Sequence, residues 1–188
     1  LPSATSFEQV LSDGSGKTLT PQDVEPQDVA FLQYTGGTTG VSKGAILTHA
    51  NLLSNASQMG LWLDTAFLTK PRPPQLQFLC ALPLYHIFAL TVNSLMGVAT
   101  GSHNILIANP RDIPAFVKDL QKYKIHVFPG LNTLFNALMN NADFQKLDFS
   151  ALLLVFGGGM SVQRPVAERW LEMTGCPITE GYGLSETS

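Results

Sequence analysis

Between Arg72 and Arg111 the chain carries no Asp, Glu, Lys or Arg. So long an uncharged stretch belongs either in a membrane or in a core, and its composition decides between them. Its apolar part, Phe78 to Ala99, is interrupted by Pro83, His86, Asn93 and Ser94, whereas a spanning helix needs about 20 predominantly apolar residues. A buried strand followed by a buried helix fits instead. Charged residues make up only 13% of the 188-residue chain, against a usual share of about 25%, so strands covered on both faces are expected. The same shortage fits a chain cut from a larger body, where part of the surface packs against further sequence.

Eleven Lys plus Arg against 14 Asp plus Glu leave a net charge of -3, which argues against a nucleic-acid partner held on a basic face. Cys80 and Cys176 are too few for a disulfide framework, and no C-x-x-C or Cys/His cluster offers a metal site. A reducing, cytoplasmic setting is therefore expected. The opening Leu1-Pro2-Ser3-Ala4-Thr5 has neither a basic nor an apolar signal region and no initiating Met.

Residues 1–27 are rich in Ser, Gly, Pro, Asp and Gln and read as a mostly irregular lead-in. From Asp28 onward, short apolar runs alternate with helical patterns, the signature of an α/β fold with a mostly parallel sheet flanked by helices. Val29–Tyr34, Leu76–Leu82, Asn104–Ala108, Ile125–Phe128 and Leu152–Phe156 read as strands, with Ala45–Leu47 a short extended piece. Pro129-Gly130 is expected to end the fourth of these, and a last short strand leads to Glu180. Helices are expected from Thr48 as N-cap to about Trp62, over Tyr85–Val98, after Asp112, over Leu131–Met139, and from Ser161. Ile113, Phe116, Val117 and Leu120 share one helical face and belong to the core. Right-handed crossovers place the loops after the strands on one edge, where such sheets bind ligands.

Three segments could carry chemistry. Tyr34 to Gly44 contains four glycines, three threonines and Lys43. Glycines let backbone N–H groups converge on one anion, the hydroxyls add donors and the ammonium adds charge, so the segment reads as a phosphate cradle. It is not a Walker A loop, because Ser42 and Gly44 flank Lys43 where Gly and Ser/Thr are required. Gly157-Gly158-Gly159-Met160 is a second glycine turn between strand and helix, with Val162 where a dinucleotide fingerprint needs Gly. Val162 weakens the nicotinamide reading, Glu180 at a spacing suited to a ribose carboxylate keeps it open, and by itself the turn serves equally as a tight connection.

The third segment is Glu180-Gly181-Tyr182-Gly183-Leu184-Ser185-Glu186-Thr187. Glycines beside Tyr182 could expose its ring for stacking on a base, Ser185 could bond a phosphate, and Glu186 could hold a hard cation. A nucleophile elbow fails here, since Thr187 stands at the last glycine position of G-x-S-x-G and no Asp and His follow. His86, alone in Leu82-Pro83-Leu84-Tyr85-His86-Ile87-Phe88, reads on spacing alone as a core or helix-start residue. His49, His103 and His126 receive no role.

Taken in order, these segments resemble the adenylate-forming (AMP-binding) superfamily of acyl-CoA synthetases, luciferases and peptide-synthetase adenylation domains. Ser42 stands where many members have Pro, and Ser185 replaces the Thr of a Tyr-Gly-x-Thr-Glu motif while keeping its hydroxyl. Leu82 to Leu90, Asn109 to Pro114 and Leu131 to Leu138 resemble bacterial long-chain fatty-acid–CoA ligases in particular. The resemblance implies ATP, Mg²⁺ and CoA as cofactors or co-substrates and a fatty acid as substrate. It implies that Thr35, Gly36, Gly37, Thr38, Thr39, Gly40 and Lys43 hold the β,γ-phosphates, that Gly158, Gly159 and Met160 line the adenine and acyl pocket, and that Glu180, Gly181, Tyr182 and Gly183 belong to the nucleotide site. Ser185 would hold the α-phosphate, Glu186 the Mg²⁺, and His86 would orient the substrate carboxylate or help shape its pocket.

On this resemblance residues 28–188 are a fragment of the N-terminal AMP-binding domain. The family's ribose-binding Asp, hinge and mobile C-terminal domain with its catalytic Lys would lie beyond Ser188, so the fragment is expected to be inactive alone and to self-associate. Peripheral contact with the inner face of the cell membrane is a further expectation, although no basic amphipathic helix is evident. Two alternatives remain open: a non-catalytic nucleotide- or acyl-binding module, and a ligase for aromatic or short-chain acids.

Overall fold

The computed structural model describes residues 4–35 and 42–188. The lead-in is less irregular than its composition predicts, for it carries helix α1 (Phe7–Gly14), capped by the Ser6 hydroxyl accepting from Gln9 N at 3.1 Å. Its apolar Phe7, Val10 and Leu11 have helical spacing but bury nothing. Strands β1 (Val29–Thr35) and β2 (Lys43–Thr48) pair antiparallel, Tyr34 opposite Gly44 and Thr35 opposite Lys43. Thr48 caps α2 (His49–Thr65) through a reciprocal box with Asn51, which satisfies two N–H groups that an uncapped helix start leaves open.

Five further strands form a parallel sheet: β3 (Gln77–Cys80), β4 (His103–Leu106), β5 (Val127–Gly130), β6 (Leu154–Gly157) and β7 (Ile178–Glu180). Their order is β4-β3-β5-β6-β7. From β3 the chain steps outward to β4, then crosses back to build β5, β6 and β7 on the other side of β3. The boundary between β3 and β5 is therefore the place where strand order reverses.

That reversal puts the connecting helices on opposite faces, as right-handed crossovers require. α3 (Ile87–Ala89), a π-helical turn (Leu90–Leu95) and α4 (Met96–Ala99) link β3 to β4. Val92 and Met96 from this segment and Leu63 from α2 pack on Phe78, Val127, Leu154 and Phe156. α5 (Ile113–Leu120), α6 (Asn132–Met139) and α7 (Arg164–Thr174) cover the other face, where Phe116, Phe135 and Trp170 meet Leu79, Phe128 and Val155. Neighbouring strand residues such as Phe78 and Leu79 thus enter different cores, as the two-residue period of a strand demands. Burial on both faces accounts for the uncharged stretch. Among the described residues, no helix is long and apolar enough to cross a membrane.

Several element ends shift from the sequence reading, and two of the shifts have a clear physical cause. β5 runs on through Pro129 and Gly130, which pair with Phe156 and Gly157 of β6. Successive strand residues turn their backbone groups to opposite neighbours. Gly130 O accepts from Gly158 N at 3.3 Å on the β6 side, so Pro129 turns its nitrogen toward β3. There β3 and β5 share only the pair Phe78–Val127, and no N–H is needed beyond it. α7 begins at Arg164 rather than Ser161, because Val162 N and Gln163 N donate to Glu180 Oε2 and Asn132 Oδ1 at 3.1 and 2.9 Å, which holds the preceding residues out of the helix.

His126 ties the opposite end of the same boundary. Its backbone N donates to Gln77 O, and Gln77 N donates to its Nδ1, both at 2.9 Å. Burial, with Lys124 nearby, lowers its pKa from the ordinary 6.5. The unfolded chain therefore binds this proton more readily than the folded one, so the stabilisation is present above 6.5 and is lost as pH falls below it through the lower value of the folded state. The urea midpoint of the wild type should decline as pH falls below the ordinary value of 6.5, and His126→Gln should flatten that decline. An unchanged slope in the variant would remove the assignment.

Candidate functional site

At the carboxyl ends of β3, β5 and β6 the chain enters three loops that touch one another. Gly158 is buried, and a Cβ added to it would lie 2.9 Å from the Phe88 ring. Gly159 has φ +72, and a Cβ there would sit 3.0 Å from Leu131 Cδ2. The glycine turn thus admits Phe88 from the segment after β3 and Leu131 from the turn after β5, a close approach that a side chain would block. Glu180, at the end of β7, anchors the turn through Val162 N, and Gly181 N donates to Gly157 O at 2.8 Å. Glu180 is consequently engaged within the protein, while Met160 is 53% exposed beside the turn.

His86 is exposed and stands as N-cap of the helical segment, where its Nδ1 accepts from Phe88 N at 3.3 Å. A nitrogen that accepts an N–H carries no proton, so in neutral imidazole the proton sits on Nε2. The ring thereby offers one outward donor of the kind a carboxylate takes. The preceding carbonyl, Tyr85 O, accepts from Gln33 Nε2 on β1 at 2.9 Å, which fastens the antiparallel pair to this loop.

Of the phosphate-cradle residues, Gly36, Gly37, Thr38, Thr39 and Gly40 lie outside the described residues. The ends of the loop are described. Thr35 Oγ1 donates to Lys43 O and Ser42 Oγ donates to Thr35 O, each at 3.4 Å. Lys43 is exposed, and no carboxylate among the described residues pairs with it. The short 3-10 turn Ser185–Thr187 packs against β1 and β2, and Asn55 Nδ2 of α2 donates to Ser188 O.

The Tyr182–Glu186 segment, the cradle ends, His86 and the glycine turn are therefore linked through one set of contacts at one edge of the sheet. Tyr182 is 93% exposed, its ring free to be covered. A Cβ at Gly181 or Gly183 would meet nothing within 4 Å, so packing within this chain does not demand either glycine. Glu186 is exposed and Ser185 half-buried. Among the described residues no three His, Cys, Asp or Glu side chains gather around one point. A lone carboxylate is nevertheless an adequate protein ligand for Mg²⁺, which keeps waters and takes its other oxygens from substrate phosphates.

Sequence reasoning missed Gln33, Asn132 and Leu131, whose parts depend on contacts between distant segments, and it missed the bond that Glu180 accepts from Val162 N. A separate cavity of about 300 Å³, walled by Leu120, Tyr123, Ile125, Phe128, Phe144 and Phe149, opens at the other end of β5 and takes no part in this assembly.

The AMP-binding enzyme family matches residues 2–188. The chain belongs to the AMP-binding enzyme family. It is 52% identical over 188 residues to a long-chain-fatty-acid–CoA ligase of Haemophilus influenzae, covering 100% of this chain and 33% of that protein. A long-chain-fatty-acid–CoA ligase of Escherichia coli O6:H1 is 52% identical over 186 residues, 99% of this chain and 32% of its own length. The crystal structure of ATP-bound MatB from Rhodopseudomonas palustris superposes with a TM-score of 0.79 at 25% identity, over 95% of this chain and 34% of that one. The chain thus spans about a third of the length of the curated relatives it matches.

The Glu180 anchor can be tested directly. Glu180→Ala should lower unfolding free energy by about 1 kcal/mol, the value of one hydrogen bond whose donor is left without a partner, as read by urea unfolding. Glu180→Gln, which keeps an acceptor, should lose less than half of that.

Proposed function

We propose that the parent protein is an AMP-forming ligase that activates a long-chain fatty acid and transfers it to CoA. The observation that carries this reading is the 52% identity to a long-chain-fatty-acid–CoA ligase over the whole chain. The joining of four sequence-singled segments at the reversal point of the sheet supports it. A carboxylate is a poor acyl electrophile. In the first step its oxygen would attack the α-phosphorus of ATP and pyrophosphate would leave; in the second the CoA thiol would attack the acyl carbonyl and AMP would leave.

In this scheme Lys43 and the cradle from Thr35 to Gly40 bind the β,γ-phosphates and stabilise charge gathering on the departing pyrophosphate. Gly158, Gly159 and Met160 wall the pocket beside Tyr182, which covers adenine, with Gly181 and Gly183 around it. Ser185 donates to the α-phosphate. His86 donates from Nε2 to the fatty carboxylate, which orients it for attack. Mg²⁺, held by Glu186 and phosphate oxygens, would neutralise phosphate charge. Glu180 supports the turn through one carboxylate oxygen and stands with Gly181 at the nucleotide site. Such an enzyme would work in the cytoplasm, meeting its substrate at the inner face of the membrane where fatty acids partition.

The intact parent protein, given Mg-ATP and acids from acetate to palmitate, should release pyrophosphate at a rate that grows with acyl length. Lys43→Ala and Glu186→Gln should each lower that rate by about 10²-fold, the usual cost of removing one group aimed at developing charge. Release favouring acetate or aromatic acids would overturn the long-chain assignment, and ATP binding with no release would make the protein a binding module.

Alone, the chain of residues 1–188 would lack the remainder of the active site and should release none. It exposes Leu32, Ile46, Leu61, Trp62 and Leu68, and surface of this kind drives association. Sedimentation should show concentration-dependent self-association, and a monomer across a hundredfold range of about 1–100 μM would contradict it.

A further inference from the structure

The helical segment behind His86 contains the six-residue π turn Leu90–Leu95, in which Met96 N reaches back to Thr91 O. A π turn inserts one residue into an α-helix, so everything before it is rotated by about 100° relative to an uninterrupted helix. The direction in which His86 and Phe88 face the crevice therefore depends on the extra residue staying in place. Nothing in the propensities of Leu90-Thr91-Val92-Asn93-Ser94-Leu95 enforces it.

Asn93 lies at the centre of this turn and is 0% exposed. Its Nδ2 donates to Leu79 O of β3 at 3.0 Å and to Asn104 Oδ1 of β4 at 3.2 Å. Asn104 Nδ2 returns a bond to Asn93 O at 2.9 Å. Gly97 leaves the room for it, since a Cβ there would stand 2.7 Å from Asn104 Nδ2. Two carboxamides and a glycine thus clasp the π turn to the two adjacent strands. Stability alone is a poor account of the arrangement. Asn93 Oδ1 and Thr91 Oγ1 are buried in the same turn with no partner among the described residues, and unpaired buried polar atoms are unfavourable.

We propose that Asn93 and Asn104 are positioning residues for acid binding: their clasp keeps the π turn wound, and so holds His86 and Phe88 toward the crevice. The proposal rests on the functional reading above. Without the clasp the segment is free to relax toward a regular α-helix, which turns Phe88 away from Gly158 and His86 away from the fatty carboxylate. The strand ends at Thr35 and Lys43 and the Tyr182 segment, which contact other elements, stay as they are.

In the intact parent protein Asn93→Ala should raise KM for the fatty acid about tenfold while KM for ATP stays within about twofold, because misplacing one positioning group penalises the substrate it orients. Asn104→Ala should do the same, and the double variant should be no worse than either single one, as expected of a pair acting as a unit. Leu138→Ala, in the core on the other face, serves as the control with a similar loss of Tm and no change in the ratio of the two KM values. Hydrogen exchange of residues 87–92 should accelerate in the asparagine variants and not in Leu138→Ala. Acid KM moving no more than in Leu138→Ala, or exchange at 87–92 unchanged, overturns the proposal. If the wild-type parent releases pyrophosphate with no acid, the functional reading fails, and exchange at 87–92 then decides the clasp by itself.

Discussion

A proline inside a parallel sheet removes one ladder bond, and at Pro129 the missing bond faces β3. The consequence is geometric. β3 and β5 are joined at Phe78–Val127 and fastened at their amino ends by His126 and Gln77, yet their carboxyl ends carry no further pairing. β5 instead continues along β6 as far as Gly130 opposite Gly157. The sheet opens where its strand order reverses, and three loops converge on the opening.

What fills that opening is set by backbone close approach and a few polar anchors. Gly158 and Gly159 bring the turn after β6 against Phe88 and Leu131, while Glu180 and Asn132 hold its far side through the amides of Val162 and Gln163. Gln33 draws the antiparallel pair to the loop before His86. Among the described residues, His86 Nε2, Lys43, Tyr182 and Glu186 remain exposed and unclaimed within the assembly. A rigid frame that spends its buried bonds on itself and leaves such groups outward suits a site completed by its ligands.

The elements most legible in the sequence are those whose patterns reflect local physics. The stripe Phe116, Val117 and Leu120 is buried, and Asp112 caps its helix by accepting from Ala115 N at 3.1 Å. Thr48 caps α2 for the same reason. Misread boundaries fall where a distant segment overrules local preference. Ser161 looks like a helix start, but Glu180 and Asn132 take the amides after it; Pro129 looks like a strand end, but β6 pairs with it on its unaffected side. α1 was hidden because an amphipathic pattern that buries nothing looks like loop.

By itself the sequence determined the α/β class, the covering of the sheet on both faces and the family, because these follow from periodicity, an uncharged stretch and motifs whose residues are contiguous. It also singled out Lys43, His86, Tyr182 and Glu186. Only the tertiary structure decided that Glu180 serves the turn, that Phe88 meets Gly158, and that Asn93 and Asn104 clasp a π turn. Those outcomes depend on which amide lies within bonding distance of which carbonyl across many residues of chain, and sequence spacing carries no such distance.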